Sequence, residues 1–85
     1  NDLLACGALI EARARGLSVP RDLALVGFGD NELMREIAPG LTTVTPDPAR
    51  LGRHAGEMLA ARLTGRPLPS PRVDLPLELR LRGSC

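Results

Sequence analysis

The sequence predicts an α/β fold built on a parallel sheet. Helix-like and strand-like segments alternate along the 85 residues in the order α-β-α-β-α-β, which is typical of α/β proteins. The stretch LALVGF, residues 23–28, is apolar without alternation, as in strands that are covered on both faces of a parallel sheet. A helix closely precedes this strand, so the two would form half of a βαβ unit whose first strand lies before Asn1.

The first helix is expected to start at Asp2 as N-cap and to stop at Gly16, after a last turn rich in arginine. Its apolar residues recur at steps of three and four, which predicts one continuous stripe. The stripe consists of Leu3, Cys6, Gly7, Ile10 and Ala14.

Two short elements follow the apolar strand. Residues 31–37 favour a short helix, which Pro39 and Gly40 would end. Residues 41–45 contain three threonines and a valine and favour a strand, because β-branched side chains suit a pleated surface.

The second half predicts one long helix and one strand. Asp47 and Pro48 are typical of a helix start, and the helix would run up to Gly65. Its helical spacing includes Leu51, Ala55, Met58, Leu59, Arg62 and Leu63. Residues 73–81 alternate apolar and polar side chains, which predicts a half-exposed strand. Pro76 interrupts this strand and places it at a sheet edge or at a change of sheet.

Composition argues against several classes of partner. Eleven arginines face ten acidic residues, so the net charge is +1 and no strong field favours nucleic acid or membrane. The arginines are scattered, and direct DNA contact by this segment is not expected. No signal peptide or membrane span is visible, so Cys6 and Cys85 are interpreted as reduced thiols of a cytoplasmic protein. The chain begins without Met and is interpreted as part of a longer protein.

The glycines at the strand end do not form a nucleotide-binding motif. Gly27 and Gly29 fit the start of a dinucleotide fingerprint, but Glu32 occupies the third glycine position. A P-loop is excluded because the chain contains no lysine. The carboxyl end of a buried strand nevertheless remains a favoured place for a ligand in open α/β sheets.

No enzyme site is evident. His54 and Glu57 are too few ligands for a metal, and the cysteines lack metal-type spacing. His54 also has no partner for nucleophilic catalysis. The sequence therefore predicts a protein that is not an enzyme and needs neither cofactor nor metal.

Five short motifs follow one another along the whole chain. They are Asn1-Asp2 with Ala5 and Gly7, GLSVPRD at 16–22, PGLTTV at 39–44, Leu51-Gly52 with Ala55, and LRLRGSC at 79–85. Their order closely resembles the C-terminal part of bacterial transcription regulators of the LacI/GalR family.

The resemblance implies part of a periplasmic-binding-protein-like fold, a three-layer α/β/α architecture whose two subdomains close on a small molecule. Residues 1–45 and 77–85 would belong to the C-terminal subdomain, and residues 46–76 to the N-terminal one, with both incomplete in this chain. The family's DNA-binding helix-turn-helix would lie upstream. The implied function is that of a repressor in which a sugar or sugar-acid effector controls operator binding. A periplasmic sugar-binding protein of a transport system is the alternative.

The resemblance also assigns residues to the effector site. Asn1 would border the ligand cleft, and the position that usually holds an effector-binding acid is occupied by Gly29, with Asp30 after it. This Gly-Phe-Gly-Asp form looks like the gluconate-repressor branch, whose effectors are sugar acids. A carboxylate ligand would avoid an Asp and favour backbone N–H groups instead.

A homodimer interface is implied as well. It would involve the first helix and the short helix after the glycine turn. The matching positions are Cys6, Ile10, Leu33, Met34 and Ile37. Ile10 could equally belong to the chain's own core, whereas the interface is favoured for Leu33, Met34 and Ile37.

Overall fold

The computed structural model describes residues 1–37 and 39–85. Its elements, in chain order, are α1 (Asp2–Ala14), β1 (Val26–Phe28), α2 (Glu32–Glu36), β2 (Thr42–Pro46), α3 (Pro48–Leu63) and β3 (Leu77–Arg80). This order confirms the predicted α/β class. None of the helices in the described part of the chain combines the length and apolarity needed to cross a lipid bilayer.

The sheet has three strands in the order β1-β2-β3. β1 and β2 run parallel, with Val26 opposite Thr42 and Phe28 opposite Val44, as predicted. β1 is shorter than the predicted strand because the Leu25 N–H donates to the carbonyl of Ser84 at 2.8 Å. The C-terminal tail therefore takes over the hydrogen bonding where the strand was expected to continue.

Sequence analysis predicted that both faces of the first strand are covered, and this prediction is wrong for this chain. Gly27 is buried and faces α1, but Val26 and Phe28 remain 51% and 48% exposed. Helix α1 packs on one side of β1, and among the described residues no element buries the other side. An unbroken apolar run thus indicates a strand covered on both faces only when an element packs on each face.

Helix α1 differs from its prediction in cap and in buried face. Asn1, not Asp2, is the N-cap. The buried residues are Asp2, Ala5, Leu9 and Ala12, while Leu3 and Ile10 of the predicted stripe are 75% and 62% exposed. Small alanine side chains let the helix lie close to the sheet, and Ala5 joins Met34 and Leu41 in the core.

The chain separates into two compact units. Unit 1 comprises Asn1–Thr45 and Glu78–Cys85, and unit 2 comprises Pro46–Leu77. These bounds differ by one residue from the predicted division, which placed residues 1–45 and 77–85 in one part and residues 46–76 in the other. The assignment of the two parts to subdomains of a larger fold stays a prediction.

Unit 2 consists mainly of α3. The helix begins as predicted, because the Asp47 carboxylate accepts hydrogen bonds from the N–H groups of Ala49 and Arg50 at 3.0 and 3.1 Å. It buries no residue, and of its expected apolar positions only Met58 is half-buried.

The predicted strand over 73–81 is reduced to β3, Leu77–Arg80, whose four residues are all exposed. The prediction that this strand would be half-exposed was therefore wrong. The strand lies at the end of the strand order, however, so its predicted edge position is confirmed. It starts directly after Pro76, which has no N–H to donate to a neighbouring strand.

Candidate functional site

An open hollow lies at the carboxyl end of β1, inside unit 1. Its volume is about 240 Å³. The lining residues are Asn1, Asp2, Leu3, Phe28, Gly29 and Asn31. We call this feature the strand-end hollow. Two of the three predicted ligand residues, Asn1 and Gly29, line it, whereas Asp30 does not.

Two asparagines in the hollow serve as helix N-caps. The side-chain oxygen of Asn1 accepts from the Leu4 N–H at 3.0 Å, and that of Asn31 accepts from the Leu33 N–H at 3.0 Å. Each cap fixes the orientation of its amide and uses only the oxygen. Both residues line the hollow, and the caps do not use the hydrogen-bond donors of their NH₂ groups.

The buried Asp2 forms the floor between these asparagines. It is 4% exposed. One carboxylate oxygen accepts from the Thr43 hydroxyl at 2.7 Å, and the other accepts from the Asn31 N–H at 2.6 Å. Sequence analysis assigned Asp2 to helix capping and missed this role, because its partners lie 41 and 29 residues away in the sequence.

The turn after β1 has an unusual backbone. Gly29 has φ +118° and Asp30 has φ +58°, both outside the range that most side chains tolerate. The Gly29 N–H donates to the carbonyl of Val44 at 2.9 Å and continues the parallel pairing. A glycine at this position thus matches the conformation, in addition to removing the acid that the family resemblance would place there.

Asp30 is held by two arginines instead of facing the hollow. Arg35 donates to its carboxylate through Nε and Nη2 at 3.1 and 2.9 Å, and Arg82 approaches to 2.8 Å. Burial alone would raise the pKa of the Asp30 carboxyl, but the hydrogen bonds and charges of both arginines outweigh it and lower the pKa. The side chain is 12% exposed, so this carboxylate stays ionised and paired.

The C-terminal tail fastens the two strands beneath the site. The Ser84 hydroxyl donates to the Leu25 carbonyl at 2.7 Å and accepts from the Thr42 N–H at 2.8 Å. Arg82 and Thr42 exchange two further hydrogen bonds at 2.8 and 3.1 Å. Ser84 is 1% exposed although it lies next to Cys85. No sequence signal distinguished it.

The expected interface residues fall into two groups. Ile10 and Leu33 are 62% and 65% exposed. Cys6 and Ile37 are half-buried against the core. Met34 is only 6% exposed and packs with Ala5 and Leu41, so its expected place on an open surface is corrected: it is a residue of the chain's own core. Both cysteines are free thiols.

A second hollow of about 320 Å³ lies within unit 2, between α3 and residues 67–71, which we call the proline-rich loop. His54 and Glu57 border it together with apolar residues such as Met58 and Val73. Within residues 1–37 and 39–85, no group of three or more His, Cys, Asp or Glu side chains could hold a metal ion. This hollow offers little chemistry.

Comparison with known proteins places these features in a family context. The periplasmic binding protein-like domain family matches residues 1–85. The HTH-type transcriptional repressor PurR of Haemophilus influenzae is 37% identical over 87 residues, which cover 99% of this chain and 26% of the repressor. The chain thus spans about a quarter of the length of the curated relatives it matches.

Solved structures agree in fold. A LacI-type transcription regulator from Bifidobacterium animalis subsp. lactis superposes with a TM-score of 0.89 at 34% identity, over 99% of this chain and 30% of the other. A LacI family regulator from Arthrobacter sp. FB24, in complex with lactose, gives a TM-score of 0.84 at 36% identity, over 99% and 32%. All three named relatives are regulators and not enzymes, in agreement with the prediction.

Proposed function

The chain belongs to the periplasmic binding protein-like domain family, and we propose that it forms the C-terminal part of the effector-binding domain of a LacI-type transcriptional repressor. Its relatives are transcriptional repressors and regulators, which favours a regulatory protein over a sugar-transport protein. DNA binding would belong to a helix-turn-helix domain outside these 85 residues. Such a regulator would act in the cytoplasm, where its operator lies.

The strand-end hollow carries this proposal. The side-chain NH₂ groups of Asn1 and Asn31 offer donors to ligand oxygens, and the half-exposed ring of Phe28 offers an apolar wall. Sugars and sugar acids combine many oxygen acceptors with an apolar carbon face, so they match a site of this composition. The lactose complex of the Arthrobacter regulator is consistent with that class of ligand.

The carboxylates at the strand end are all paired, which is compatible with an acidic effector. Gly29 contributes no carboxylate to the hollow, and the Asp30 carboxylate is paired with two guanidinium groups. Both oxygens of Asp2 already accept hydrogen bonds from the protein. A sugar acid would therefore meet hydrogen-bond donors at this end of the strand and no carboxylate without a partner.

Calorimetry on the full-length protein tests this assignment with gluconate and glucose as probes. We expect gluconate to bind about tenfold more tightly, a difference of ~1.4 kcal/mol. Asn31→Asp keeps the capping oxygen and adds a negative charge, so it should weaken gluconate more than glucose. Tighter binding of glucose to the unmodified protein would overturn the sugar-acid assignment.

The same proposal assigns the chain a place in the allosteric change. Residues 1–45 and 77–85 would belong to one subdomain and residues 46–76 to the other. The chain passes from unit 1 to unit 2 at Pro46 and returns after Leu77, and closure around the effector would bend it at these two points. An effector that prefers one closure state would shift the population of the DNA-binding form.

We further propose a homodimer through the exposed apolar residues of α1 and α2. Among the proposed interface residues Leu33 and Ile10 are the most exposed, Cys6 and Ile37 are half-buried, and Met34 is occupied in the core. Leu33→Asp should convert the full-length dimer to monomers in sedimentation experiments. Leu17→Asp, at another exposed leucine outside these helices, serves as the control. A dimer that persists in the Leu33 variant would contradict the interface.

A further inference from the structure

We propose that Asp2 is a positioning residue for the strand-end hollow. Its buried carboxylate holds the backbone of the turn at Asp30 and Asn31 and thereby places the Asn31 amide against the ligand. This inference rests on the proposed function in one respect, because it assigns the hollow to an effector. The positioning itself depends only on contacts within unit 1.

The two oxygens of Asp2 connect three separate segments. Asp2 belongs to the first turn of α1, Thr43 to β2, and Asn31 to the turn that precedes α2. One oxygen accepts from the Thr43 hydroxyl at 2.7 Å and the other from the Asn31 N–H at 2.6 Å. Hydrogen bonds to a carboxylate are about twice as strong as neutral ones, and burial strengthens them further.

Thr43 links the Asp2 carboxylate to one further residue of the turn, Asp30. Its hydroxyl donates to Asp2 and accepts from the Asp30 N–H at 3.4 Å. Thr43 is fully buried, so water does not compete for this hydroxyl. One carboxylate thus fixes two successive N–H groups of the turn, that of Asn31 directly and that of Asp30 through Thr43.

The turn needs such a constraint. Asp30 adopts φ +58° and Gly29 φ +118°, conformations that persist in a protein only when the surroundings determine them. The two arginines hold the Asp30 side chain. The backbone N–H groups that follow Gly29 are held by Asp2 and Thr43.

Gly27 makes the approach of Asp2 possible. A Cβ atom at Gly27 would overlap Oδ1 of Asp2 and lie 2.8 Å from a methyl group of Leu41. Glycine at this position in β1 therefore has a specific physical reason, since any side chain would displace the carboxylate from its position between the strands and the turn.

The consequence for the ligand concerns Asn31. Asp2 holds its backbone N–H, and the Leu33 N–H holds its side-chain oxygen at 3.0 Å. Asn31 lines the hollow, and these two hydrogen bonds restrict the orientations open to its NH₂ group. Loss of Asp2 should free the backbone end and spread this donor over several orientations.

Hydrogen exchange on the full-length protein tests the positioning without any ligand. In Asp2→Ala, amide exchange at Asp30 and Asn31 should accelerate by more than about tenfold, while the amides of Leu9 and Ala12 in α1 keep their rates. Unchanged exchange at the turn would overturn the proposal. Equal acceleration throughout unit 1 would also overturn it, because Asp2 would then serve general stability alone.

A second variant keeps the test decisive if Asp2→Ala fails to fold. Thr43→Val preserves shape, removes the link to the Asp30 N–H and leaves the direct bond from Asn31 to Asp2. Exchange should rise at Asp30 more than at Asn31. The opposite order, or no change at Asp30, would contradict the arrangement.

Binding of gluconate separates positioning from stability. Asp2→Asn and Asn31→Ser, which retains a capping oxygen, should each weaken gluconate about tenfold. If Asp2 acts through Asn31, the double variant should bind no more weakly than Asn31→Ser alone, whereas additive losses would overturn the inference. Absence of gluconate binding to the unmodified protein would count against the proposed function, and the exchange experiment would then decide the role of Asp2.

Discussion

Helix α3 of unit 2 has 16 residues and helix α1 of unit 1 has 13, yet α1 buries four residues and α3 buries none. Both show apolar residues at helical spacing. The difference is the partner: α1 lies against β1, while the half-buried residues of α3 border a hollow beside the proline-rich loop of unit 2. Amphipathic spacing favours a helix, but burial requires a surface of matching shape. Unit 1 therefore contains both the core and the candidate site.

The largest difference in stability between the two units is expected when each of the two methionines is replaced. Met34 is 6% exposed in unit 1, and Met58 is half-buried in unit 2. Met34→Ala should lower the free energy of unfolding by about 3 kcal/mol, because it leaves a cavity in the core. Met58→Ala should cost ~1 kcal/mol or less. Urea unfolding of the full-length protein measures both, and an equal cost at Met58 would show that other parts of the longer protein bury α3.

Two glycines provide a contrast of intermediate size. Gly27→Ala should destabilise unit 1 by about 2 kcal/mol, because the added methyl group overlaps the Asp2 carboxylate. Gly56 lies in the interior of α3 with open space around it. Gly56→Ala should therefore stabilise the protein by up to ~1 kcal/mol, through better helix propensity. Thermal unfolding distinguishes the two signs, and a neutral Gly27→Ala would contradict the close approach of Asp2.

The smallest difference between the two units is expected in the pH dependence of stability at acidic pH. The pKa of Asp30 is lowered in the folded state, so its ion pairs stabilise above the unfolded value of about 3.9 and this contribution is lost as the pH falls further. Asp30→Asn should flatten the decline in stability below about pH 4. Asp74→Asn in unit 2, where the pair with Arg72 is exposed on both sides, should change stability little. Identical acid profiles for Asp30→Asn and the unmodified protein would contradict the role of the pair.

Local chemistry determined what could be predicted. The Asp47-Pro48 start of α3, the short helix after Asn31 and the threonine-rich strand β2 all follow from caps, breakers and β-branched residues within a few positions. Those signals act over one turn of helix or one strand. They locate elements reliably, because each element's ends depend on its own neighbours in sequence.

The rest depended on contacts between distant residues. Asn1 caps α1, whereas the Asp2 carboxylate is engaged by Thr43 and Asn31. The ion cluster around Asp30 depends on Arg82, 52 positions further along the sequence. The exposure of Val26 and Phe28 depends on which surfaces cover the sheet. Periodicity contains no information about any of these partners.

The hydrogen bonds of Ser84 bear on the order in which the chain can fold during synthesis. The Ser84 hydroxyl joins residues 42 and 59 positions earlier in the sequence, so the ribosome must complete all of unit 2 before unit 1 can close. At about 5–20 residues per second, synthesis of the chain from Thr42 to Ser84 lasts roughly 2–8 seconds. During that time the Thr42 N–H and the Leu25 carbonyl have no tail to bind. A nascent chain of this protein would thus leave these two backbone groups open to chaperones until Ser84 emerges.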